Sequence, residues 1–126
     1  MKLLEGKYGY FTDEGRAYVI NNWRTPKPWI NVISNGRWGL NIAQTGSGYS
    51  WIDHAMLNRI TYWNQDIIKD DFGKYLFIKD MEDKKVWSIT PKPMVPEFEE
   101  YSCTHTMGET TFKTKCYGIT SEYKIF

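Results

Sequence analysis

The sequence predicts an all-β protein, an antiparallel β-sandwich. Runs of four to eight aromatic and β-branched residues recur along all 126 residues, separated by Gly, Pro and Asn-Gly punctuation, and none reads as a helix. Within the runs apolar and polar residues alternate, the period that sends successive side chains to opposite faces of a sheet. The alternation is clearest in the last quarter of the chain and is still running at Phe126, so the sequence is expected to end while a strand is still being built.

The elements follow in order. "YGYF" (8–11), "AYVI" (17–20), "WINVIS" (29–34) and "WGLNIA" (38–43) read as the first four strands. Asn35-Gly36 offers the positive dihedrals of a two-residue hairpin turn between the last two, and Trp29 and Trp38 are expected to pack across that hairpin. Gly39 is placed to let a neighbouring segment approach "WGLNIA", and Gly46 with Gly48 to turn the chain tightly before "YSW". "KYLFIKD" (74–80) and "KVWSI" (85–89) are strands joined by a turn in "MEDKKV". "TPKPW" (25–29) and "TPKPMVP" (90–96) read as extended connectors, because proline brings no N–H to a ladder. At the end, Phe112, Thr114 and Cys116 share one face against Thr111, Lys113 and Lys115. After Gly118, Ile119, Ser121, Tyr123 and Ile125 oppose Thr120, Glu122, Lys124 and Phe126.

Composition excludes some partners. Sixteen Lys and Arg against fifteen Asp and Glu leave a net charge of +1, no basis for broad attraction to nucleic acid or anionic lipid. No apolar run approaches the ~20 residues of a membrane helix, and "MKLLEGKYGYF" reaches Glu5 and Gly6 before a signal-peptide core develops. A cytoplasmic chain is the expectation, with neither membrane nor nucleic acid as partner. Cys103 and Cys116 are then expected as buried free thiols, a disulfide between them being the alternative. Six Trp and nine Tyr are many for a core that Leu and Ile could build, so some rings should lie at a surface or an interface.

Candidates for chemistry are few. Asp53 and His54 are adjacent, and on a strand adjacent side chains face opposite ways, poor geometry for an acid–base pair. Cys103 and His105 could share a face, but two ligands do not make a zinc site, and no metal or cofactor is expected. Glu97, Glu99 and Glu100 read as a solvated edge that deters sheet-to-sheet pairing. Residues 45–73 break the alternation, interleaving aromatics with Asp53, His54, Asn58, Arg59, Asn64, Gln65 and Asp66. Rings for the C–H faces of a pyranose and planar amides, carboxylates and guanidiniums for its hydroxyls suit a sugar-binding surface. Ordinary loops over the edge of a sandwich have the same composition, and both readings stay open at this point.

"YGYFTDEGRAYVI", "RTPKPWINVISNGRWG", "TGSGYSW", "NRITYWNQD", "GKYLFIKD", "VWS" and "YSCTHTMGETTF" occur in the order found at the amino-terminal end of the inverting glycoside phosphorylases. This family, related to cellobiose and chitobiose phosphorylase and once called glycosyltransferase family 36, resembles the chain over residues 8–126. Several motifs also resemble the equivalent module of cyclic β-1,2-glucan synthase. The resemblance implies that residues 1–126 are a partial amino-terminal β-sandwich domain, with the catalytic helical barrel absent. Inverting phosphorolysis needs a carboxylic acid to protonate the departing oxygen and groups to hold phosphate. In the family both lie in the barrel, so no catalytic residue is assigned here and the chain alone is expected to be inactive.

The same resemblance implies partners and a site. The partners are the remaining sandwich and the helical catalytic domain, a second copy of the chain, and a β-linked oligosaccharide in the assembled enzyme. Trp51, Arg59, Trp63, Asn64 and Asp66 occupy motifs where the family's sandwich approaches the catalytic cleft, and they are the carbohydrate-binding candidates. Arg59 is expected to bind a carboxylate bidentately and order its loop; for Trp51 and Trp63, packing in the sandwich competes with stacking on sugar. Lys27 in "TPKPW" departs from the family's "TPWPW", and "WNQD" stands closer to the glucan-synthase-like "WSND", so the substrate stays open. Three functions are consistent with this sequence. They are a carbohydrate-associated accessory domain of an inverting phosphorylase acting on β-linked glucosides, a purely structural docking or dimerisation module, and an autonomous carbohydrate-binding protein.

Overall fold

The computed structural model describes residues 2–64 and 66–126, the side chain of Asp13 excepted. Among these residues there are ten strands, one 3-10 turn at Asp13–Gly15 and no α-helix. The strands are β1 (Gly9–Thr12), β2 (Ala17–Ile20), β3 (Ile30–Ser34), β4 (Trp38–Ala43), β5 (Ser50–Ile52), β6 (Phe77–Lys79), β7 (Val86–Ser88), β8 (Glu100–Thr106), β9 (Glu109–Cys116) and β10 (Ile119–Ile125). All paired strands are antiparallel. They make a five-stranded sheet in the order β1-β2-β8-β9-β10, a three-stranded sheet β3-β4-β5 and a two-stranded ribbon β6-β7.

The sandwich closes where alternation points two sheets at one another. β2, β8 and β9 bury Ile20, Cys103 and Phe112, and β4 buries Ile42 in the same cluster. Leu40, Trp29, Tyr18, Tyr101, Tyr123 and Ile125 pack around it. Each fully buried Ile or Phe removes enough apolar surface from water to stabilise the fold by about 1.5–3 kcal/mol. The opposite face of the large sheet is charged: Lys113 meets Glu122, Lys124 meets Glu109 and Glu122, and Lys115 meets Glu99 and Glu100. These pairs are largely exposed, Lys115 and Glu109 being half-buried, so they keep that face polar and add little stability.

Burial follows the alternation of β9 and β10. Thr110, Phe112, Thr114 and Cys116 are buried while Lys113 is exposed, and Tyr123 and Ile125 turn inward while Glu122 and Lys124 turn out. Cys103 and Cys116 are both free and buried. The Asp80 carboxylate shapes the β6–β7 turn by accepting from the N–H groups of Glu82 and Asp83.

Three local expectations are corrected. The β3–β4 hairpin forms with Ser34 opposite Gly39, but only Gly36 of the Asn35-Gly36 pair has positive φ. Asn35 precedes the bend and caps it, its Oδ1 accepting from the N–H groups of Arg37 at 3.1 Å and Trp38 at 2.8 Å. Trp29 does not pack across that hairpin; it sits against Tyr8 and Tyr18, with ring centroids at 5.5 and 5.9 Å. The 90–96 segment is folded rather than extended, Val95 N–H donating to the Pro91 carbonyl at 2.7 Å. Beyond these, Ser50 and Trp51 of "YSW" enter β5, a strand too short for alternation to register, held by pairing of Trp38 with Ile52, Gly39 with Trp51 and Leu40 with Ser50.

Candidate functional site

β5 carries the first candidate. Trp51 pairs with Gly39 and lays its ring over it, so that a Cβ at Gly39 would fall 2.4 Å from Trp51 Cζ2. Trp51 also bridges to Arg59 across the 53–58 turn. That turn is built by the two residues first considered as an acid–base pair. Asp53 binds Arg37 Nε at 3.1 Å, and His54 Nδ1 accepts from the N–H groups of Met56 and Leu57 at 3.2 Å. Both are occupied with local structure.

Three of the five candidates converge on Tyr49. Its ring stacks on Trp63 with centroids 4.9 Å apart and planes 17° apart, and Trp51 lies against it at 5.4 Å. The Arg59 guanidinium sits 5.2 Å from the ring centres of both Tyr49 and Trp63. Its N–H groups go to backbone carbonyls, Nε to Ala55 at 3.0 Å and Nη1 to Trp63 at 3.3 Å. Arg59 thus orders its loop through two carbonyls, where a bidentate carboxylate was expected. The other two candidates shape the next turn. Asn64 Oδ1 accepts from Asp66 N–H, and Asp66 Oδ1 accepts from Ile68 and Lys69 N–H groups at 3.0 Å. The bond from Lys69 is the largest influence holding the Asp66 carboxyl below its ordinary range. Gln65 lies outside the described residues.

The Asp66 turn forms one wall of a groove. The other wall is the 23–28 connector, tied down by the buried side chain of Gln44. Gln44 Nε2 donates to the Trp23 carbonyl at 3.1 Å and to Thr25 Oγ1 at 2.6 Å, while its Oε1 accepts from Trp29 N–H at 2.8 Å. Between the walls lie two cavities of about 460 and 380 Å³. They share Lys27, Pro28, Ile67 and Asp70, which makes them one continuous cleft. The first cavity adds Trp23, Arg24 and Lys92, the second Tyr49, Trp63 and Asn41. Of the sequence candidates, Trp63 lines it.

Asp70 lies at the junction. Thr45 Oγ1 donates to its Oδ2 at 2.6 Å, and Ser47 Oγ donates to its Oδ1. Burial pushes the Asp70 carboxyl above its ordinary range, against the two hydroxyl donors and the charge of Lys92. Lys92 Nζ donates to the Lys69 carbonyl at 2.5 Å and Lys92 N–H to the Thr45 carbonyl at 2.9 Å, joining floor to wall. The Tyr75 hydroxyl is buried without a partner among the described residues, its pKa raised chiefly by burial and further by Asp70 and Asp71. Sequence reasoning missed Asp70, Thr45, Ser47 and Lys92. The signal available for Thr45 and Ser47 was their position flanking Gly46, a turn that aims both hydroxyls one way; Asp70, 23 and 25 residues further on, left none.

His105 lies elsewhere, half-buried beneath Trp29. Its Nε2 donates to the Trp29 carbonyl at 3.1 Å and its Nδ1 accepts from Thr110 Oγ1 at 2.9 Å, the assignment of a neutral ring. Cys103 shares its face, 3.8 Å away. Both belong to the core rather than to a site.

The sequence profile of the glycosyl hydrolase 94 supersandwich domain matches residues 16–126. An N,N'-diacetylchitobiose phosphorylase of Vibrio furnissii is 28% identical over 122 residues, 95% of this chain and 15% of the relative. A 3-O-beta-D-glucopyranosyl-beta-D-glucuronide phosphorylase of Paenibacillus borealis is 33% identical over 119 residues, 94% of this chain and 14% of the relative. The cyclic beta-(1,2)-glucan synthase NdvB of Rhizobium meliloti (strain 1021) is 33% identical over 110 residues, 83% of this chain and 4% of the relative. The chain spans at most about a seventh of the length of these three relatives.

Proposed function

The chain belongs to the glycosyl hydrolase 94 supersandwich family, and from that membership we propose that it is a non-catalytic, carbohydrate-associated accessory domain of an inverting glycoside phosphorylase acting on β-linked glucosides. It is the first part of a larger sandwich and works with the remaining sandwich and a helical catalytic domain. Its free, buried Cys103 and Cys116 suit the reducing setting of the cytoplasm. Its own residues contribute a wall on the acceptor side of the assembled site. Trp51, Arg59, Trp63, Asn64 and Asp66 carry that wall, Trp63 touching sugar and the other four holding it in place.

The observation that carries this reading is the Tyr49–Trp63 stack, cross-braced by Arg59 and opening on a cleft. Stacked aromatic rings fixed by a guanidinium form a rigid platform, and a rigid platform loses little entropy when a pyranose settles on it. The test is Trp63→Ala in the assembled enzyme, with calorimetric acceptor binding and melting temperature measured together. Loss of one stacking ring is expected to cost roughly 1 kcal/mol, about a fivefold loss of acceptor affinity. Unchanged acceptor affinity with a large fall in melting temperature would reject sugar contact.

A second reading, a docking module without sugar contact, is favoured by one feature. Ile30 and Val32 project from the outer face of β3 at 53% and 56% exposure, Ile30 beside the same cleft. Uncovered apolar residues of this kind suit burial against another domain or a second copy. The Trp63→Ala pair of measurements separates the two.

A further inference from the structure

Building on the accessory-domain reading, we propose that the cleft between the 23–28 connector and the 66–70 turn binds a saccharide bearing a carboxylate, its neutral pyranose at Trp63 and Tyr49 and its acidic unit at Arg24, Lys27 and Lys92. The two halves of the cleft differ in chemistry. Trp63 and Tyr49 line one cavity, and Arg24 and Lys92 line the other, with Lys27 and Asp70 common to both. An elongated ligand with an apolar ring face at one end and an anion at the other matches that gradient. Both volumes fall in the range of small-ligand sites.

Charge decides the acidic end. Three cations face one carboxylate here, in a chain whose overall net charge is only +1. Arg24 and Lys27 have no carboxylate partner among the described residues. Lys92 uses one N–H on the Lys69 carbonyl, and an ammonium has three. Donors therefore remain for an incoming carboxylate. Asp70 has the complementary capacity. An ionised carboxylate offers about four lone-pair positions, and Thr45 and Ser47 occupy two, which leaves acceptors for sugar hydroxyls at the middle of the cleft. A neutral saccharide would leave the cations unused, and a bare anion would leave the aromatic end unused.

The cleft is built wholly from this chain, so the 126-residue protein can be tested directly. Nitrogen-15 labelled chain would be titrated with a β-linked glucosyl-glucuronate disaccharide, a β-linked glucosyl-glucose disaccharide, glucuronate and inorganic phosphate, following the indole N–H signals of Trp23 and Trp63. The expected order places the acidic disaccharide about fivefold or more ahead of the neutral one, a preference that shrinks as salt rises. Arg24 and Lys27 are exposed, so Arg24→Gln with Lys27→Gln should keep the remaining spectrum and abolish the preference. Equal binding of the two disaccharides would overturn the acidic end while leaving the accessory-domain reading in place. Phosphate binding as well as the acidic disaccharide would overturn the saccharide. No shift at either indole with any probe would overturn the site altogether, whatever Trp63→Ala does to acceptor affinity in the assembled enzyme.

Discussion

His105 shows how one side chain is committed by its surroundings. Burial lowers its pKa from the ordinary 6.5, partly offset by the bond to the Trp29 carbonyl. Above about pH 6.5 the ring is neutral in both the folded and unfolded chain, and its bonds to Trp29 and Thr110 contribute fully. Below that value the unfolded chain takes up the proton first, so stability falls with pH until the depressed folded pKa is reached. The slope from this group is bounded by about 1.4 kcal/mol per pH unit. Urea melts of wild type and His105→Gln between pH 7.5 and 5 should converge as pH falls, because the glutamine has no proton to gain. Parallel curves would show that the ring is not held neutral.

At the scale of elements, hairpins do the positioning. β3 and β4 are joined through Asn35, whose Oδ1 serves two backbone N–H groups, and are docked on the large sheet through Asn31. Asn31 Nδ2 is within bonding distance of the Thr106 carbonyl at 2.8 Å and of the Glu109 carbonyl and Thr110 Oγ1 at 3.1 Å, so one amide pins the small sheet to the β8–β9 turn. Asn35→Ala removes the cap while leaving the strands' registers intact. It should lower stability by about 1 kcal/mol, seen as a lower urea midpoint at unchanged slope. A changed slope would mean that the hairpin itself had opened.

For the whole molecule, the edges of the large sheet set the expectations. β10 pairs only with β9 among the described strands, so its outer edge presents free backbone donors and acceptors. Sedimentation of the 126-residue chain should show concentration-dependent self-association in the micromolar range. A monodisperse monomer throughout would contradict this. The purified chain should also release no sugar 1-phosphate from cellobiose, chitobiose or β-1,2-glucan in phosphate buffer, since its cleft holds a hydroxyl-bonded Asp70 engaged in structure rather than a free proton donor. Measurable phosphate-dependent release would reverse that assignment.

Alternation by itself determined the fold class, most of the strands other than β5 and the inward faces of β9 and β10, because burial of one sheet face is a local, period-two constraint written into consecutive residues. Alternation fails over residues 45–73, and there it was the resemblance of short motifs to a known family that singled out Trp51, Arg59 and Trp63. Only the tertiary structure decided what they surround and what they lack. Tyr49 is their common centre, Arg59 is spent on carbonyls, and the cleft beside them takes its polar floor from Thr45, Ser47 and Asp70 and its cations from Arg24, Lys27 and Lys92. Those residues are separated by up to 68 positions and are joined by a buried glutamine, a turn and a lysine-to-carbonyl bond. Such contacts have no period, and chain folding alone brings them to one place.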